Sequence, residues 1–192
     1  MEKKHIITIA GKLGSGKSST SKRVANLLNY ERVSTGEFMR LMADKKGIAL
    51  DELSKIAEAD ISIDKQLDDY NLEIGKKENI ILDSRLGFYF IPNSFKVFLE
   101  LDPNVASERI LEDKKTNPNR HTEATGVFDT KESIIESINN RLSSERRRYK
   151  QLYGINDLTA HENFDLVIDT SKMPLEEVSQ KIIEEYNNWL NK

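Results

Sequence analysis

Short apolar, β-branched runs punctuate an otherwise polar chain: Ile6–Ala10 (IITIA), Glu31–Ser34 (ERVS), Ile80–Asp83 (IILD), Lys96–Leu101 (KVFLEL) and Asp165–Asp169 (DLVID). Runs this short, without clean polar alternation, predict strands buried on both faces. Between them the apolar spacing turns helical. Lys17–Leu28 follows the first run, and Gly36–Lys46, Asp51–Ala57 and Ile63–Lys76 follow the second. Pro103–Asp113 follows the fourth, with Asp102 as its N-cap and Pro103 at the first helical position. Lys131–Tyr153 predicts a long helix closed by Gly154, with Ile134, Ile138, Leu142, Tyr149 and Leu152 at helical spacing. A last helix begins at Pro174 and carries Leu175, Val178, Ile182, Trp189 and Leu190 on one stripe. Strands alternating with helices predict an α/β fold on a parallel sheet. No internal repeat or low-complexity tract interrupts the pattern.

Glu112–Thr130 (EDKKTNPNRHTEATGVFDT) resists the pattern, being polar, turn-rich and without periodicity. Segments of this kind serve as lids or binding loops, and a tolerated surface insertion fits equally.

Composition narrows the function classes. The 192 residues fit one domain with a sizeable core. Twenty-nine Lys+Arg against 32 Asp+Glu give a net charge of −3, which argues against bulk nucleic-acid or membrane-surface binding. The absence of cysteine excludes disulfides, thiolate metal sites and cysteine nucleophiles. The first apolar run is too short for a signal sequence, and no stretch approaches the ~18 apolar residues of a membrane span. A cytoplasmic protein, monomeric or weakly homo-oligomeric, is expected.

Candidate chemistry begins where the first strand ends. Gly11–Ser18 reads GKLGSGKS, a full match to G-x-x-x-x-G-K-[ST] between a strand and a helix. Glycines such as Gly11, Gly14 and Gly16 let the backbone approach a ligand closely. Backbone N–H groups from Gly14 through Ser15 to Ser18, continuing into Ser19, are placed to converge on phosphates at the helix N-terminus. Lys17 adds a charge at the β/γ-phosphates, and the Ser18 hydroxyl is a Mg²⁺ ligand. Such a loop serves switches, motors and kinases alike, so other residues must name the reaction.

Three downstream stretches do so. Ser34-Thr35-Gly36-Glu37-Phe38-Met39-Arg40 ends the second strand, with Gly36 allowing a tight turn and Arg40 projecting a guanidinium toward the cleft. Asp83-Ser84-Arg85-Leu86 ends the third strand, where ligands of open α/β sheets gather. Asp83 is placed to hold a Mg²⁺-bound water and Arg85 an acceptor phosphate. On the long helix, Arg141, Glu145 and Arg148 fall within roughly a 60° sector beside the apolar face. Each has a bland alternative: an ordinary N-cap, a capping carboxylate, a solvated helix face.

Together, in this order, the motifs resemble those of the cytidylate kinases, a branch of the P-loop nucleoside monophosphate kinases. S-T-G-x-x-x-R is shared with adenylate kinases. D-x-R-L and R-x-x-x-[DE]-x-x-R are similar to cytidylate kinases, particularly the compact branch with a small acceptor subdomain. That branch usually has Gly where this chain has Ser84. The resemblance runs from Ile6 to about Ile183, with Glu112–Thr130 longer than the compact branch implies.

The resemblance implies a three-layer fold on a five-stranded parallel sheet, with a small acceptor-binding helical subdomain and a lid. The core would be 1–34, 77–111 and 155–192, the acceptor helices 35–76, and the lid with the arginine helix 112–154. It implies transfer from ATP·Mg²⁺ to a nucleoside monophosphate, CMP or dCMP first. Lys17, Arg85, Arg141 and Arg148 would be catalytic. Thr35, Gly36, Arg40, Asp64, Arg85, Arg141 and Glu145 would bind the acceptor, and Ser18 and Asp83 the metal. Asp64 and Asp68 fit either base reading or a solvated helix face. Thr170 and Ser171 stand where adenine packs in these kinases. Arg146 and Arg147 are expected in solvent or on the lid.

Residue chemistry agrees. A monophosphate oxygen is already anionic, so transfer rests on positioning and charge neutralisation rather than on a general base. His5, His121 and His161 are isolated and lack triad or metal spacing. The rivals are an adenylate-type kinase, opposed by a missing D-G-F-P-R, a kinase of another small acceptor, and an ATPase or switch. The chain has no guanine-reading N-K-x-D.

Overall fold

A computed structural model of the chain describes residues 2–48, 50–116 and 130–192, apart from the side chains of residues 51, 114–116, 137, 138 and 141. Five parallel strands form one sheet: β1 (Ile6–Gly11), β2 (Glu31–Ser34), β3 (Ile80–Asp83), β4 (Phe95–Glu100) and β5 (Leu166–Asp169), in the order β2-β3-β1-β4-β5. β1 pairs with β3 through Ile9↔Asp83 and with β4 through Gly11↔Leu99. The chain thus leaves β1 toward one edge and later returns to fill the other. That reversal opens a crevice at the carboxyl ends of β1, β3 and β4.

Both sheet faces are covered, which is why the strands are apolar runs. Ile7 and Ile9 point toward α1 (Lys17–Leu28) and α8 (Leu175–Leu190), packing with Val24, Val178, Ile182 and Tyr186. Ile6, Ile80 and Leu82 pack on the opposite face with Ile74 and Ile91. Ile6, Ile7 and Ile9 are all 0% exposed, and each burial is worth on the order of 2 kcal/mol.

Three helices between β2 and β3 form a small unit with its own core: α2 (Thr35–Lys46), α3 (Leu50–Ala59) and α4 (Ile61–Ile74). Met42, Leu53, Ala57 and Ile63 are its centre. A one-turn helix, α5 (Gly87–Phe90), follows β3. α6 (Pro103–Thr116) follows β4, and α7 (Lys131–Tyr153) precedes β5.

Several expectations change; α4, for one, spans Ile61–Ile74 rather than Ile63–Lys76. α2 starts at Thr35 rather than Gly36, because the Ser34 hydroxyl accepts from the Glu37 N–H and acts as the N-cap. Gly36 therefore sits inside the first turn, and its φ is not positive. α6 runs on to Thr116, so the start of the segment read as structureless is helical. Residues 117–129, the middle of the predicted lid with His121, lie outside the described residues, and Thr130 caps α7. α5 and the 3₁₀ turn His161–Asn163 were not predicted, since elements of three or four residues carry no period. As expected, the Asp102 carboxylate caps α6 from 2.8 Å, and Gly154 closes α7 at φ +71°.

Candidate active site

The loop after β1 is shaped by what its glycines permit. A Cβ on Gly11 would lie 2.6 Å from the Leu99 carbonyl oxygen of the neighbouring strand. Gly16 takes φ +84° at the N-cap of α1 and brings no capping side chain, leaving the first-turn N–H groups open toward the loop. The Lys17 ammonium donates to the carbonyls of Gly11 at 3.0 Å and Lys12 at 2.9 Å, so it lies folded over the loop. Ser18 and Ser19 are exposed in the first turn of α1. The loop is braced from β5: the Thr170 hydroxyl reaches the Ser15 carbonyl at 3.2 Å. Arg109 on α6, which sequence reasoning missed, donates to the Thr170 carbonyl at 2.7 Å.

The pair expected to hold a metal is assembled. The Ser18 hydroxyl donates to Asp83 Oδ2 at 2.9 Å, although 65 positions separate them. Asp83 ends β3 and is buried, and the Thr35 hydroxyl reaches its carbonyl at 3.4 Å. A hydroxyl and a carboxylate are hard oxygen donors and fit Mg²⁺. Among the described residues no group of three His, Asp or Glu could hold a metal. Two protein oxygens fit Mg²⁺ that keeps waters and phosphate oxygens in its remaining positions.

Asp83, Ser84 and Arg85 lead from this pair to the other wall of the crevice. The buried Ser84 hydroxyl donates to Asn71 Oδ1 on α4 at 3.1 Å. Arg85 forms an ion pair with Glu145 on α7. One turn later, Arg148 Nε meets Asp64 Oδ2 on α4 at 3.1 Å, with the Arg148 guanidinium over the Tyr149 ring. A further turn on, the Tyr153 hydroxyl donates to Asp68 at 2.8 Å. Ser144 hydrogen-bonds Glu58 on α3. α7 is thus laced to the small helical unit along three turns. A small cavity beside Gly11, lined by Arg85, Phe98 and Leu142, separates the loop from α7.

The electrostatics follow from that lacing. Burial raises the Asp64 carboxyl above its ordinary value, against the opposing pull of Arg148. Burial likewise raises Asp68, opposed by the Tyr153 hydrogen bond. Tyr153 is itself pushed far up by burial and by Asp68, so it remains a donor. Asp64 is 2% exposed, which removes the solvated-face alternative for it.

Other predicted residues are placed as follows. Arg40 is half-buried on α2, and Gly36 is exposed. Arg141 lies on α7, with its side chain outside the described residues. Arg146 is exposed and pairs with Asp157 at 3.7 Å, and Arg147 is exposed. His5 is not isolated: its Nδ1 lies 3.2 Å from the Tyr186 hydroxyl. His161 lies 3.3 Å from Glu100. Arg32, a basic residue inside the short run ERVS, was the signal overlooked on β2. Asn71 and Tyr153 gave none, since each owes its role to a partner distant in sequence.

Comparison with known proteins agrees with this architecture. Residues 6–172 match the model of the cytidylate kinase-like family. The cytidylate kinase of Sulfurisphaera tokodaii is 35% identical over 186 residues, which cover 96% of each chain. That of Methanosphaera stadtmanae is 33% identical over 172 residues, covering 89% of this chain and 91% of its own. A protein of Lacinutrix mariniflava named S-adenosylmethionine-dependent nucleotide dehydratase is 37% identical over 182 residues, and this chain spans 35% of its length. Among solved structures, shikimate kinase from Bacteroides thetaiotaomicron superposes with a TM-score of 0.64 at 14% identity, covering 97% of this chain and 98% of its own. That likeness speaks to the P-loop kinase fold alone. The chain belongs to the cytidylate kinase-like family of nucleoside monophosphate kinases.

Proposed function

We propose that the protein transfers the γ-phosphoryl group of ATP directly to CMP or dCMP. The observation that carries this reading is the Asp83-Ser84-Arg85 stretch. It joins the Ser18 hydroxyl on the donor side to α4 and α7 on the other side. A donor cradle and an arginine-bearing wall therefore share one crevice, as in-line transfer between two phosphates requires.

In this mechanism the loop N–H groups from Gly14 to Ser19 bind the donor phosphates. Lys17 turns from the Gly11 and Lys12 carbonyls to the β/γ-phosphates. Ser18 and Asp83 hold Mg²⁺, which neutralises phosphate charge when bound. Thr35, Gly36 and Arg40 line the acceptor entry, and helices 35–76 form the acceptor unit. Arg85, Arg141 and Arg148 neutralise the transferring group and the acceptor phosphate, while Asp64 and Glu145 contact the acceptor nucleoside. Because Arg85 and Arg148 are engaged with Glu145 and Asp64, the acceptor phosphate must draw them off those carboxylates. The setting we propose is the cytoplasm, with ATP and a nucleoside monophosphate as the partners.

ADP release from ATP·Mg²⁺, measured with CMP, dCMP, UMP and AMP in turn, tests the reading. Turnover that depends on CMP or dCMP is expected. Preference for AMP would favour an adenylate-type kinase, and turnover without any acceptor an ATPase. Arg141→Ala should abolish CMP use and leave ATP binding intact.

A further inference from the structure

A half-buried cation near the crevice, Arg32, has no part in that mechanism. Arg32 lies on β2, with its side chain 13% exposed. A guanidinium largely withdrawn from water requires partners, and three elements provide them. Its Nε donates to the buried Ser21 hydroxyl on α1 at 2.8 Å. Its Nη1 pairs with Glu37 in the first turn of α2 at 2.8 Å. Its Nη2 lies 3.4 Å from Asp83 Oδ2, the oxygen that accepts from Ser18. The Ser21 hydroxyl in turn donates to the Ser18 carbonyl at 3.0 Å.

We propose that Arg32 is the positioning residue of the metal site: it fixes the Asp83 carboxylate, and through Ser21 the first turn of α1, so that Asp83 and Ser18 present their oxygens to Mg²⁺ together. This rests on the reading of Ser18 and Asp83 as the metal pair. The Ser18 hydrogen bond alone is a single point about which the carboxylate rotates. Arg32 donates to the same Oδ2 from β2, so two donors from different elements converge on that oxygen and hold it in place, and its planar fork is itself held by Ser21 and Glu37. Its charge does not repel the metal strongly, because Glu37 sits on the same guanidinium at 2.8 Å. Orientation, rather than charge, therefore decides the sign, and removing Arg32 weakens metal binding. Partners that orient metal ligands are worth roughly 10–100-fold in metal affinity.

The test is calorimetric binding of ADP with and without Mg²⁺, which reads the metal's contribution without turnover. In the natural chain Mg²⁺ should tighten ADP binding; absence of that gain would mean that the metal-pair reading has failed. Arg32→Met should lower that gain about tenfold, a loss well beyond any fall in metal-free ADP affinity caused by loosening the first turn of α1. Arg32→Lys keeps the charge and the stem but not the fork, and should lose a smaller part of the gain; it provides the same comparison if the methionine variant does not fold. An unchanged gain, or a loss shared equally by metal-free binding, overturns the proposal. Asp83→Asn is the control on its premise: if that variant retains the full Mg²⁺ gain, the metal-pair reading has failed rather than the role of Arg32.

Discussion

Arg148 on α7 and Asp64 on α4 meet at 3.1 Å, with side chains 13% and 3% exposed, and their pairing joins the arginine helix to the small helical unit. Both side chains are largely withdrawn from water. Each is stable in place because the other is there, and Tyr149 covers the guanidinium face.

Breaking that pair one-sidedly should therefore cost more than removing it. Arg148→Met leaves Asp64 buried without its countercharge, and should destabilise the fold by about 3 kcal/mol. Adding Asp64→Leu should recover most of that loss while leaving the protein unable to use its acceptor. Urea denaturation of the two single variants and the double variant checks the cycle. Equal cost for single and double variants would show that the pair does not hold α7 to α4.

Asp68 predicts a pH dependence. Burial raises its carboxyl above the ordinary 3.8, so the folded chain holds this proton more tightly than the unfolded chain. Where the folded state binds more protons, stability falls as pH rises. The Asp68 contribution is thus most favourable below the ordinary carboxylate range, and declines as pH climbs from there through the raised native value. Asp68→Asn lacks this titration but still accepts from Tyr153. Its stability relative to the natural chain should grow across that window and level off above it. Denaturation midpoints at successive pH values check this, and a flat difference would refute the burial account.

Gly11→Ala probes the contact between β1 and β4. The new methyl would sit 2.6 Å from a backbone oxygen of Leu99, which has no rotamer to yield. Destabilisation of about 2 kcal/mol or more is expected, together with weakened ADP binding as the loop is displaced. Thermal unfolding and calorimetry measure the two effects. A neutral substitution would mean that the strands can separate at this point.

The sequence by itself determined the sheet and the donor loop, because both are encoded locally. Ile6–Ala10 and Ile80–Asp83 are apolar on both faces, and only a parallel sheet covered on both sides buries such runs. GKLGSGKS carries its own geometry in glycines that no other residue replaces. Lys17–Leu28 and Lys131–Tyr153 match their helices because spacing and closing residues act within a few positions.

Partnerships across long separations were decided only by the tertiary structure. Periodicity placed Glu145 and Arg148 on one sector of α7, but not opposite Arg85 and Asp64. Asp64 was equally compatible with a solvated face, since a carboxylate on a helix looks alike until its neighbours are known. Arg32 drew no reading from the sequence, and its meaning lies in Ser21, Glu37 and Asp83 on three other elements. Burial and countercharge are properties of packed surfaces rather than of chain segments, which is why they emerge only when the elements are assembled.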